Sequence, residues 1–222
     1  MSEYQFSLMG VALTALPSGA LWMPDSATLV VSDLHLCKSD RQARKGQAML
    51  PPYETRDTLS RLDADIMATA PKRVVCLGDS FDDIEAIEAM RDPEKLWLAR
   101  MQAGRSWVWI AGNHDAGPIE LGGDYLDEVE IGPLTLRHIA LDGAVGEISG
   151  HYHPKYAILS QSRPAFVYDS RRLILPAYGT YTGGMPATRP PLRDLFQDLA
   201  IAIVTGPRCI AVPLERKHSL QT

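Results

Sequence analysis

The sequence predicts a layered α/β protein in which two mixed sheets pack together with helices outside them, a four-layer α/β/β/α sandwich. Three observations lead there. Near-continuous apolar runs alternate with helically spaced segments through the first half of the chain. The second half is a series of short β-rich runs joined by turns. Many of these runs end in polar turns that contain glycine, the punctuation expected at the ends of buried strands. At 222 residues, with 45% hydrophobic and 22% charged residues, the chain can bury a sizeable core and reads as one domain, 1–222. The same proportions exclude a disordered, collagen-like or coiled-coil protein.

The elements follow in order. Residues 27–31, 72–77 and 106–111 are apolar runs of central-strand length. Between them, residues 55–68 place Leu59, Leu62, Ile66 and Met67 at helical spacing and stop before Pro71. Residues 83–103 do the same with Ile84, Ile87, Met90, Leu96, Leu98 and Met101, broken at Asp92-Pro93. Strands are expected at 134–139, 146–148, 165–168, 172–175 and 209–212, and a helix at 192–200. Residues 179–191, rich in glycine and proline, read as a surface loop.

A net charge of −5 means that contact with nucleic acid must come from a local patch and not from bulk charge. Cys37, Cys76 and Cys209 form no C-x-x-C pair, which suits a reducing compartment. No run reaches the roughly 18 apolar residues of a membrane span. The N-terminus lacks the basic and apolar regions of a signal peptide. A cytoplasmic protein is expected.

Five of the six histidines, His35, His114, His138, His151 and His153, sit at strand ends beside glycine, asparagine or aspartate, whereas His218 lies in the polar tail. Asp33, Asp79, Asp82 and Asn113 occupy similar positions. The carboxyl ends of strands are where ligands bind in open α/β sheets. Imidazole, carboxylate and amide oxygen suit borderline or hard divalent ions, and there are enough groups here for two. The lack of cysteine ligands argues against a structural zinc site.

Asp33-x-His35, Gly78-Asp79-x-x-Asp82, Gly112-Asn113-His114-Asp115, His138 and Gly150-His151-x-His153 appear in that order. Together they resemble the calcineurin-like metallophosphoesterase superfamily, whose fold is the sandwich described above. The resemblance implies one metal ion on Asp33, His35, Asp79 and His153, and a second on Asp79, Asn113, His138 and His151, with Asp79 bridging. It implies that His114 protonates the leaving oxygen and that Asp82 hydrogen-bonds His114. A metal-activated hydroxide would be the nucleophile. Manganese is the expected metal by resemblance, and iron, zinc and magnesium fit the same ligands. Ile139 stands after His138 where many members have glycine.

A narrower resemblance, in Ser32-Asp33-Leu34-His35-Leu36 with Lys38 and in residues 175–184, is to bacterial metallophosphoesterases associated with DNA ligase and helicase genes. It implies DNA as substrate, endonuclease action in repair, and ligase or helicase as partners. Glycine is common there where this chain has Cys37. Lys38, Arg41, Arg44 and Lys45 follow two of the ligands and are candidates for phosphate-backbone contact, against the plainer reading of a solvated helix face. Arg163, Arg171, Arg172, Arg189 and Arg193 could extend that patch, and Tyr178 and Tyr181 could stack bases. Asp115 is expected to brace its turn, Cys37 to fill space, and Trp97, Trp107 and Trp109 to sit in the core. The rival readings are a small-molecule phosphatase or nucleotide pyrophosphatase on the same centre and, less favoured, a partner-binding domain without activity.

Overall fold

The computed structural model describes residues 2–46, 51, 53–83, 85–115, 117, 121–197 and 199–214. Ile84 and His218 lie outside them. Two sheets form the body. The first runs in the order β1 (Tyr4–Leu8), β2 (Val11–Ala15), β3 (Leu21–Met23), β4 (Thr28–Val31), β5 (Arg73–Leu77), β6 (Ser106–Ile110) and β7 (Asp124–Leu126). Its first four strands are an antiparallel meander, and β4 to β7 are parallel. The helices α2 (Glu54–Thr69) and α4 (Asp92–Gln102) supply the crossovers, while α1 (Lys38–Arg44) and α3 (Glu85–Ala89) are short.

The second sheet contains β8 (Glu128–Ile131), β9 (Leu134–Arg137), β10 (Glu147–Ser149), β13 (Arg172–Ile174), β12 (Gln161–Tyr168), β11 (Pro154–Ile158) and the two-residue β14 (Met185–Pro186). From β12 it also branches to β15 (Ile201–Val204) and β16 (Ile210–Pro213). Neighbours β9 and β10 are parallel.

Burial alternates along the central strands. Leu29, Val31, Val74, Cys76, Trp107 and Trp109 face the helices, whereas Val30, Val75, Leu77, Val108 and Ile110 face the second sheet. Both faces are covered, which is why these strands read as unbroken apolar runs. Met67 and Leu96, taken from periodicity as core-facing, are 80% and 71% exposed on the outer sides of α2 and α4.

The outer face of the second sheet departs from expectation. It is covered by residues of the 185–200 segment, including Ala187, Leu192, Phe196 and Ala200. The expected helix at 192–200 is a single 3-10 turn, Leu192–Leu195. The turn stops at Phe196, whose backbone is extended (φ −111°, ψ 149°). The loop expected at 179–191 is docked at its start and its middle, with Gly179 N–H on the Asp33 carbonyl and β14 paired to β11.

Candidate metal centre

Parallel pairing sends the ends of β4, β5 and β6 to one edge of the first sheet, and the ends of β9 and β10 meet them from the second. Asp33 and His35 follow β4, Asp79 follows β5, and Asn113 and His114 follow β6. His138 follows β9, and His151 and His153 lie between β10 and β11. Beyond the strands the loops remain hydrogen-bonded to one another. Asp33 N–H donates to the Gly78 carbonyl, His35 N–H to the Asp79 carbonyl and Gly150 N–H to the His138 carbonyl. Asp33, His35, Asp79, His151 and His153 all have positive φ, between 43° and 69°. Such conformations cost about 1–3 kcal/mol each and gather where a site dictates the backbone.

Two ligand clusters result, each with donor atoms within 4.8 Å of one another: Asp33, His35 and His153, and Asp79, His138 and His151. A further grouping, His35, Asp82 and His114, shares His35 with the first. Charge contacts and hydrogen bonds decide the histidine tautomers. His35 Nδ1–H faces Asp82 Oδ1 at 2.9 Å, leaving the Nε2 lone pair toward His153 Nε2 at 3.4 Å. His153 Nε2 lies 3.0 Å from Asp33 Oδ1, a buried oxygen without a hydrogen-bond partner. His138 Nδ1–H donates to the Leu77 carbonyl at 2.8 Å. Its Nε2 lone pair then faces Asn113 Oδ1 at 3.0 Å, His151 Nδ1 at 3.3 Å and Asp79 Oδ2 at 3.4 Å. Lone pairs converging at these distances without protons between them fit a cation in each cluster.

The carboxylates are held ionised against burial. Burial alone would raise Asp33 and Asp79, but His153 and His138 keep Asp33, and His138 and the His114 amide keep Asp79, below the ordinary carboxylate range. Burial lowers His138, yet Asp79 and Asp33 outweigh it and raise the imidazole; His151 is lowered by burial and by His138.

His114 stands at the edge of the centre, one-third exposed, with Nε2 4.0 Å from Asp79 Oδ2. Its Nδ1 lies 3.1 Å from the Asp82 backbone carbonyl, so Nδ1 carries the proton there and Nε2 points to the centre. Asp82 thus meets His114, as the resemblance implies, but through its backbone carbonyl. The carboxylate does not reach His114; it bonds His35 and, through Oδ2, Arg41 Nη1 at 2.9 Å. Asp115 braces more than its own turn. Its two oxygens accept the amides of Gly112, Asp79, Ser80 and Phe81 and so tie the β5 and β6 loops together. Burial pushes its carboxyl up to about 6, partly offset by the Phe81 and Ser80 amides.

Cys37 takes the left-handed conformation (φ 61°), which accounts for glycine being common there, and the turn survives with cysteine. The thiol is buried and pushed up to about 12, so it is an inert filler. Ile139, by contrast, has no positive φ and no need of glycine.

The basic run after His35 is largely occupied. Arg41 pairs with Asp82 and Asp83, and Arg44 with Asp83 and Glu85. Lys38 is half-buried near Asp82, while Lys45 is exposed. Tyr178 is buried with its hydroxyl on Asp65 and Arg61 over its ring, so it cannot stack a base. Tyr181 is exposed and bonds Tyr53. Trp107 and Trp109 are core, and Trp97 is half-buried on Asp63. Among the expected basic residues, Arg172 is buried beside Glu147, and Arg193 is buried on the Phe196 carbonyl. Reading the sequence missed the Leu77 and Asp82 carbonyls that set the histidine tautomers, because a backbone group leaves no residue-type signal.

A family model for calcineurin-like phosphoesterases matches residues 27–197, the span that holds every ligand position above. The chain belongs to the calcineurin-like phosphoesterase family. This phosphoesterase is also similar to a solved structure of Pseudomonas putida nuclease MPE. That match has a TM-score of 0.75 and 25% identity, and covers 95% of this chain and 100% of the other. No curated protein sequence matches the phosphoesterase. It is a metal-dependent hydrolase of phosphoesters, with the two-sheet α/β fold of its family. No helix among the described residues is long and apolar enough to cross a membrane.

Proposed function

We propose that this phosphoesterase is a nuclease that hydrolyses phosphodiester bonds of DNA in repair. The observation that carries the reading is the likeness to a nuclease over 95% of this chain and all of the other. In this reading Asp33, His35, Asp79 and His153 hold one divalent ion and Asp79, Asn113, His138 and His151 the other, manganese being the first choice. When bound, the ions supply Lewis-acid stabilisation of the charge that develops on the phosphate.

The protein's own groups do the rest. Asp82 fixes His35 in the tautomer whose Nε2 is a ligand, and the Leu77 carbonyl does the same for His138. The Asp82 carbonyl holds the proton on His114 Nδ1, so a second proton on Nε2 faces the leaving oxygen as general acid. Residues 1–222 act as one catalytic domain in the cytoplasm, alongside DNA ligase or helicase.

The test compares bis-p-nitrophenyl phosphate with p-nitrophenyl phosphate on manganese-loaded protein, then nicked, gapped and single-stranded DNA. Diester preference and DNA cleavage, both reduced about 100-fold or more in His114→Ala while its metal content is retained, are expected. Equal loss of metal and rate in that variant would remove His114 from the acid role. Monoester preference without DNA cleavage would favour a small-molecule phosphatase, the reading to which the net charge of −5 lends weight.

A further inference from the structure

The surface on either side of the metal centre differs in charge. Beyond Asn113 and His138 lies a cavity of about 270 Å³ lined in part by Asp127, Glu128 and Arg137. Among the described residues its one cation, Arg137, pairs with Glu128 at 2.8 Å and approaches Glu147 at 3.7 Å, so this side disfavours phosphate. Beyond His153 lies a second cavity, of about 430 Å³, lined by Lys155, Tyr156, Ser162, Thr188 and Arg189, with no carboxylate among the described residues of its walls. Among the described residues no carboxylate pairs with Lys155 or Arg189, whereas Arg41 and Arg44 are tied to acids.

This second cavity is built onto the centre. β11 begins at Pro154, directly after His153, and β14 pairs with it in parallel. Met185 N–H donates to the His153 carbonyl at 3.1 Å, and Ala187 N–H to the Lys155 carbonyl at 2.8 Å. Lys155 Nζ reaches the Thr182 carbonyl at 3.2 Å, which holds the ammonium at the cleft. Gly184 makes that position possible, since a Cβ there would stand 2.4 Å from the His153 carbonyl oxygen and 2.7 Å from Lys155 Cε.

We infer that this cleft holds the nucleotide next to the scissile phosphate of a single nucleic-acid strand. Its backbone phosphate lies on Lys155 and Arg189. Two unpaired cations track a phosphate backbone, and the cavity is of nucleotide size. The cleft also gives an acidic protein the local basic patch that nucleic-acid binding requires, in place of the paired arginines of α1. The inference rests on the nuclease reading and assigns a strand path to it.

The test is fluorescence anisotropy of a labelled single-stranded DNA 12-mer with the full chain, metal-stripped so that nothing is cleaved, across a salt series. In Lys155→Ala/Arg189→Ala, affinity should fall roughly tenfold or more, and the slope of log affinity against log salt by about 1.4, near 0.7 for each phosphate that is no longer neutralised. The charge-keeping Lys155→Arg/Arg189→Lys should bind as wild type does, and matching thermal melts show that all variants fold. Wild-type affinity and slope in the double alanine variant would overturn the strand path while leaving the nuclease reading intact. A wild-type protein that neither binds the 12-mer nor cleaves DNA when manganese is restored would overturn both.

Discussion

Asp82 serves the centre without belonging to either ligand cluster as drawn from the family. Burial would raise its carboxyl, but His35 and Arg41 hold it at about 2, so it is a full anion at neutral pH. That charge favours the His35 tautomer with a free Nε2. Asp82→Asn keeps the shape and removes the charge, and manganese affinity is expected to fall about 10–100-fold in calorimetric titration. Unchanged affinity would reduce Asp82 to a brace for Arg41. His138 carries a pH dependence. Asp79 and Asp33 raise its imidazole above the ordinary value, so a proton competes with a metal ion for Nε2. As pH rises through that raised value the imidazole becomes neutral and metal affinity increases; as pH falls, affinity is lost. Titrations at several pH values read this directly, and a flat profile would take His138 out of the ligand set.

Elements meet at this edge through close backbone approach. At the end of β6, a Cβ on Gly112 would lie 2.1 Å from the Asp79 amide nitrogen and 2.3 Å from its Oδ1. Gly112→Ala must therefore push the β5 and β6 loops apart, and a loss of about 1–3 kcal/mol in urea denaturation is expected, with weakened metal binding. A variant of wild-type stability would show that the loops have room to spare. The same scale separates what periodicity revealed from what it did not. The runs at 27–31, 72–77 and 106–111 were legible because β4, β5 and β6 are covered on both faces. β7 and β8 leave no such signal, being short strands with exposed alternate residues and no apolar run. Met67 and Leu96 fit a helical period but project outward, since spacing marks a stripe without saying where its edge falls.

At the scale of the molecule, the centre joins the sheets. Asp33, His35, Asp79 and Asn113 come from the first, and His138, His151 and His153 from the second. An ion that binds only this folded arrangement stabilises it by mass action, by about 2.7 kcal/mol at one hundred times its dissociation constant. Chelation is expected to lower the melting temperature and manganese to restore it. A melting curve indifferent to both would mean that the clustered donors hold no ion.

Residue types and their order along the chain were enough to reveal the layered fold and the histidines and aspartates that cluster at its sheet edges. Ligand chemistry needs particular side chains, and strand ends beside glycine leave a readable succession of motifs. Protonation and charge pairing were not legible in the same way, because they depend on partners far apart in sequence. His35 takes its proton position from Asp82 at 2.9 Å, across 47 positions of chain. Arg41, legible only as a positive charge, is neutralised by Asp82 and Asp83. Tyr178, legible only as an aromatic residue in a glycine-rich stretch, is drawn into the core by Asp65 and Arg61. A residue's type is local, whereas its protonation, pairing and exposure belong to the neighbours that folding brings to it.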